Sequence, residues 1–175
     1  MLIYCSKALQ TALKLTKSDM VKTEDLEQSD FYSWHGHIAK VAGRNAIVLM
    51  NDKTMYCMLF RNKLPRTASK FAELVKEALP YTFKVGHINW RDIDNYMAGM
   101  GAIVFAEKPD RQMTGNINRM ILDMSCQWDY AWNDDETIQA YEAWEQNYYR
   151  LRKIGKDYVV PFEAMQKALD ELDKM

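Results

Sequence analysis

The sequence predicts an α+β domain with a mixed or antiparallel sheet of four or five strands, helices packed on one face, and a C-terminal helical extension. Three observations lead there. Residues 46–50 and 55–60 are apolar on both faces and are joined by Asn51-Asp52-Lys53-Thr54, a set of turn formers. Residues 67–79 place Phe71, Leu74, Val75, Ala78 and Leu79 at helical spacing. Residues 131–175 change to a helical pattern rich in aromatics, which divides the chain into an α+β part (1–130) and a helical extension packed on it (131–175).

Taken in order, residues 2–5 read as a short strand, followed by a small helix with Ala8, Leu9, Ala12 and Leu13 on one face. Residues 16–30 are polar and acidic, a surface loop with room for one helical turn. A strand runs from Trp34 to Val41, and Gly43-Arg44-Asn45 turns the chain into the two strands already named. Pro65 precedes the helix over 67–79, and Pro80 is expected to stop it. A short helix covers 90–97, Gly99 and Gly101 break it, and 102–106 form another strand. After the loop Lys108-Pro109-Asp110, a helix is expected from about Asn116, burying Ile117, Met120, Ile121, Met124 and Trp128. Asn133-Asp134-Asp135 signals a helix start, with Ile138, Tyr141, Trp144, Tyr148 and Leu151 as its stripe as far as Lys153 and Gly155 as its end. Pro161 suits the first turn of a last helix whose stripe is Phe162, Met165, Leu169 and Leu172.

Composition narrows the function. The 175 residues carry 23 basic and 24 acidic side chains, a formal net charge of -1, which excludes a uniformly basic nucleic-acid coat and a highly acidic solvating chain. An apolar share of 48% supports a packed core. Cys5, Cys57 and Cys126 are widely spaced and odd in number, so neither a disulfide framework nor a redox pair is expected, and a cytoplasmic address is. The first residues do not form a signal peptide, and no stretch reaches the length of a membrane span.

A string of residues in the first 122 resembles an uncharacterised bacterial domain-of-unknown-function family of small proteins. These are Cys5-Ser6-Lys7 after the first strand, Trp34 opening a strand, Arg44 with the apolar strand 47–50, then Asn51, Thr54 and Tyr56, and Arg111, Gly115 and Asn118. An acidic residue that tends to follow the last of these is Arg119 here. The resemblance implies an α+β fold, a cytosolic setting and no established activity.

Candidate chemistry is sparse. His35 and His37 lie two apart on a strand and share a face, the one arrangement that permits metal chelation, yet no partner motif accompanies them. No phosphate-binding loop or nucleophile elbow occurs. Arg111, Gly115 and Asn118, read as flanking a helix start, make a candidate anion site. Residues 1–90 carry 13 basic and 8 acidic side chains, whereas 91–175 carry 10 and 16. The basic excess gathers at Arg61, Lys63, Arg66 and Lys70. Trp132, Trp144, Tyr149, Arg150 and Arg152 supply the residue types that dominate interface hot spots. The leading expectation is a non-enzymatic interaction protein of bacterial or phage origin, without a cofactor. It would hold a protein partner through the aromatic C-terminal helix and the basic region at Arg61, Lys63 and Arg66. The alternative is a small enzyme or a nucleic-acid-binding protein, using His35 and His37 or the Arg111 anion site.

Overall fold

Five strands lie in the order β4-β3-β2-β1-β5: β1 (Leu2–Cys5), β2 (Ser33–Val41), β3 (Arg44–Asn51), β4 (Cys57–Arg61) and β5 (Val104–Ala106). The structure is a computed structural model that describes residues 1–22, 29–41, 43–126 and 135–172. β1 is parallel to both neighbours, and β2, β3 and β4 are antiparallel, so the sheet is mixed.

Alternation along the strands sets the layers. Ile3, Trp34, Ile47, Leu49, Met58 and Phe60 point into one core, and Val48, Met50, Cys57 and Leu59 into another. The first face is covered by α1 (Lys7–Leu13), α2 (Ala68–Val85), α3 (Trp90–Gly99) and α6 (Pro161–Leu172). The second is covered by α4 (Arg111–Cys126), whose Met113, Ile117, Met120 and Met124 face it. The expectation of helices on one face is therefore corrected. Central strands that are apolar on both sides need covering on both.

Three helix boundaries also differ. α2 runs five residues past Pro80, because Thr82 and Phe83 are buried and the Phe83 ring packs edge-on against Tyr56 and Tyr96. That burial outweighs the one backbone hydrogen bond proline forgoes. α4 starts at Arg111, ahead of Asn116, because the Asp110 carboxylate accepts the Met113 N–H at 2.9 Å. The helix expected to reach Lys153 is shorter, α5 (Ala140–Tyr149), and is followed by a hairpin of β6 (Arg152–Ile154) and β7 (Asp157–Val159) that turns at Gly155 with φ 59°. The expected buried stripe is inverted: Tyr141, Tyr148 and Leu151 are exposed, while Ala143, Gln146 and Asn147 are buried. Trp128, Trp132, Asn133 and Asp134 lie outside the described residues.

The inversion has a chemical cause. α5 lies along the edge of β4, where backbone groups need partners. Asn147 supplies two at once: its Oδ1 accepts the Cys57 N–H at 2.7 Å and its Nδ2 donates to the Cys57 carbonyl at 3.0 Å. Farther along β4, the Arg61 N–H donates to the Thr137 carbonyl and the Gln139 N–H to the Leu59 carbonyl. Asn116 of α4 serves Lys153 of β6 in the same way, with bonds of 3.2 and 2.8 Å to its N–H and carbonyl. Amides here do what apolar side chains cannot.

Candidate functional site

Two concavities gather the candidate residues, one on each side of α4. Steps of four along a helix keep to one face, so Arg111, Gly115 and Arg119 share one side and Thr114 and Asn118 another. The first three line a groove of about 830 Å3 against the β6–β7 hairpin. The second pair lines a pocket of about 260 Å3 at the ends of β1, β2 and β5. The anion trio expected from sequence is thereby split. Gly115 is inside the helix rather than before it, and the helix start is already occupied by the Asp110 carboxylate.

The groove is cationic and aromatic. Arg111, Arg119, Arg150, Arg152 and Lys153 line it with Tyr149 and Tyr158, and Asp123 is its one carboxylate among the described residues. Tyr149 and Tyr158 are each 65% exposed. Gly115 contributes space: a β-carbon there would meet nothing within 4 Å. Arg152, expected as a contact residue, is 2% exposed and is corrected to a floor residue. Its guanidinium donates to Gln146 Oε1 at 2.6 Å and lies 3.7 Å from the Asp123 carboxylate. Burial lowers its pKa, and the charges of Arg150 and Arg119 push the same way. One aspartate thus faces a crowd of cations, leaving the groove with positive potential to spare.

The other expected contact residues divide. Trp144 is half-buried, its ring packed near Tyr148 and edge-on to Tyr149. Arg61 is 4% exposed, so it is corrected from a surface cation to an interior one. Residue 61 ends β4, the edge strand, and the segment around Thr137 covers it. Lys63 and Arg66 are exposed on the loop before α2, where they line a separate shallow hollow with Arg44.

His35 and His37 do share a face, and both line the pocket. They do not make a ready chelate. His35 Nδ1 meets Asp52 Oδ1 at 2.7 Å and Nε2 meets the Lys108 carbonyl at 3.2 Å. Each ring nitrogen is thus turned toward an oxygen of the protein, so neither is presented to a metal shared with His37. Among the described residues no group of three His, Cys, Asp or Glu side chains is placed to hold an ion. Cys5 and Cys57 are buried in their strands, and burial pushes each thiol up to about 12, which leaves them unreactive.

His37 meets the Ser6 hydroxyl at 2.9 Å, and burial lowers its pKa. As pH falls through the ordinary histidine value of about 6.5, the unfolded chain takes up this proton before the folded one does. Stability contributed by neutral His37 is thus present above that pH and declines below it, through the lower folded value. Urea midpoints measured from pH 7.5 to 5 should fall less steeply in His37→Asn than in the parent.

Sequence reasoning overlooked Lys153 and Tyr158 because residues 150–158 read as helix and its end, and took Arg119 only as a departure from a family pattern. A Lys-Ile-Gly-Lys-Asp run, with glycine between two short β-branched segments, was the available hairpin signal. Ser6 and Lys108 were visible only as members of a motif and a loop.

Among the described residues no helix is long and apolar enough to cross a membrane. No curated protein matches the sequence. A family model does match, over residues 2–164, and it reaches past the first 122 residues to take in α4, α5 and the hairpin. The chain belongs to the domain-of-unknown-function family DUF6933.

Proposed function

We propose that this protein is a non-enzymatic interaction protein that takes an acidic segment of a protein partner into the groove between α4 and the β6–β7 hairpin. The observation that carries the reading is a convergence. Arg111, Gly115, Tyr149, Arg150 and Arg152, singled out separately in the sequence for their chemistry, line one concavity together with Arg119, Lys153 and Tyr158. Exposed tyrosine and arginine around a positively charged groove match the residue types of contact hot spots. Carboxylates of a partner would pair with Arg111, Arg150 and Lys153, with the rings of Tyr149 and Tyr158 beside its apolar side chains.

The occupant is a short acidic segment rather than a long polyanion. Residues 91–175, which hold the groove, carry 16 acidic against 10 basic side chains. Tight binding of a nucleic acid needs cations spread along a longer track, whereas a peptide confined to the groove senses its local field over a Debye length of about 8 Å.

The test is fluorescence anisotropy with a labelled peptide of alternating Glu and Leu, set beside an oligothymidylate of equal length. The peptide should bind more tightly, and Arg111→Glu with Arg150→Glu should weaken it at least about tenfold, a change of about 1.4 kcal/mol. Preference for the oligonucleotide would replace the protein partner by single-stranded nucleic acid. Binding of both probes unaffected by the charge reversals would dismiss the groove.

A further inference from the structure

The pocket on the other side of α4 sits at a special point of the fold. β1 and β5 are adjacent and parallel, and the chain leaves their carboxyl ends in opposite directions: into α1 on the first sheet face and into α4 on the second. Such a divergence opens a crevice outside the strand ends, the general location of ligand sites in sheets with parallel strands. The crevice here is lined by Cys5-Ser6-Lys7 after β1 and by residues 107–110 after β5, with His35 and His37 from β2.

The Ser6 hydroxyl oxygen accepts the Leu9 N–H at 3.3 Å, as the cap of α1. Its proton is then free to go to His37 Nδ1, 2.9 Å away. Burial favours the neutral form of His37, and with the Ser6 proton given to Nδ1 the ring's own proton stands on Nε2 as its remaining donor. Lys7 and Lys108 add ammonium groups and Asn118 an amide. The Lys108 ammonium lies 5.2 Å from the Tyr4 ring centroid, so it is held over the pocket wall. Of the nearby acids, Asp52 is taken by His35 and one oxygen of Asp110 by the Met113 N–H, leaving Glu107 as the exposed one. The rest of the lining is apolar: the Tyr4 ring, Pro109 and Ile117.

We infer that this pocket is a binding site for a small monocarboxylate with an apolar body. The carboxylate takes hydrogen bonds from His37 Nε2 and the two lysines, and the body lies against Tyr4, Pro109 and Ile117. The volume of about 260 Å3 sets the size. At roughly 30 Å3 per water-sized group it holds about nine, below the range of nucleotide or drug-sized pockets. His35, held at both nitrogens, stiffens the floor and positions the Lys108 backbone.

The experiment is a titration of the 15N-labelled full chain with acetate, hexanoate and benzoate, and with benzamide and inorganic phosphate as controls. At least one of hexanoate and benzoate should shift the amides of Ser6, Lys7, Lys108 and Asn118 in a saturable way, more tightly than acetate. Benzamide, with the shape of benzoate and no charge, and phosphate, with charge and no apolar body, should each bind at least about tenfold more weakly. Lys7→Gln with Lys108→Gln should lower the carboxylate affinity by a similar factor, with the amide spectrum reporting an intact fold. Absence of saturable shifts with all three carboxylates, or equal binding of benzamide and benzoate, would overturn the assignment. Because no groove residue is altered, the outcome is independent of peptide binding there.

Discussion

Replacing Trp34 by alanine should lower the free energy of unfolding by about 4 kcal/mol, the largest effect expected from any single truncation in this protein. Trp34 is fully buried on β2 and belongs to the core beneath α1, α2 and α3. Its indole N–H donates to the Tyr96 hydroxyl at 2.9 Å, and that hydroxyl donates onward to the Phe31 carbonyl at 3.2 Å. Truncation therefore opens a large cavity and also removes a donor from a buried relay. A domain of this size has about 5–15 kcal/mol in all, so the variant stands close to unfolding at room temperature. Equilibrium urea denaturation followed by circular dichroism measures the loss. Trp34→Phe separates the two causes, because it refills most of the volume and leaves only the hydrogen bond missing. A Phe variant as unstable as the Ala variant would mean that the relay, not the volume, holds the site.

Asn51→Ala should cost about 3 kcal/mol or more, although it removes only a small polar side chain. Asn51 is fully buried at the turn between β3 and β4. Its Oδ1 accepts the Lys53 N–H at 3.2 Å, the Thr54 N–H at 3.0 Å and the Thr54 hydroxyl at 2.9 Å. Its Nδ2 donates to the carbonyls of Phe31 and Ser33 at 2.9 and 3.3 Å. One amide thus closes the turn and ties it to the segment entering β2, and alanine takes the acceptor from the buried N–H and hydroxyl of Thr54, while the Phe31 and Ser33 carbonyls keep the Tyr96 hydroxyl and the Asp52 N–H. Asn51→Asp is the sharper comparison. It keeps the acceptor side and turns the donor side into an oxygen facing two carbonyl oxygens. The Asp variant should be at least as unstable as the Ala variant at pH 7, as read from urea midpoints. A stable Asp variant would show that the acceptor side alone sustains the turn.

The β3–β4 turn was legible because its reason is local. Asn and Thr around a tight turn bond their own backbone, and strands apolar on both faces announce burial on both, which β3 has inside the sheet and β4 at its edge. β1, β2, α3 and the proline-led start of α6 were readable for the same kind of reason. What escaped depends on partners far along the chain. The inward face of α5 is set by the backbone of β4, some 90 residues away, so Gln146 and Asn147 turn in while Tyr141 and Tyr148 turn out. A hydrophobic stripe cannot report an amide that is needed at a sheet edge. The site residues follow suit. Tyr149 and Arg150 were visible as residue types, but their alignment with Arg111 and Arg119 needed the hairpin after α5, which the helical reading concealed. His35 and His37 were placed on one shared face, yet their partners, Asp52 and Ser6, come from other elements and decide their chemistry.

The pair of amides at Asn147 and Asn116 also bears on how this protein ages. Each holds one backbone residue by both of its polar groups, at Cys57 and at Lys153. Slow hydrolytic deamidation of either would set a carboxylate oxygen against a carbonyl oxygen and unfasten that strand. The residues that follow them, Tyr148 and Ile117, are bulky, and helical geometry holds the backbone nitrogen away from the side chain, so the attack that starts deamidation is hindered. The fold keeps its two fasteners in the setting where that chemistry is slowest.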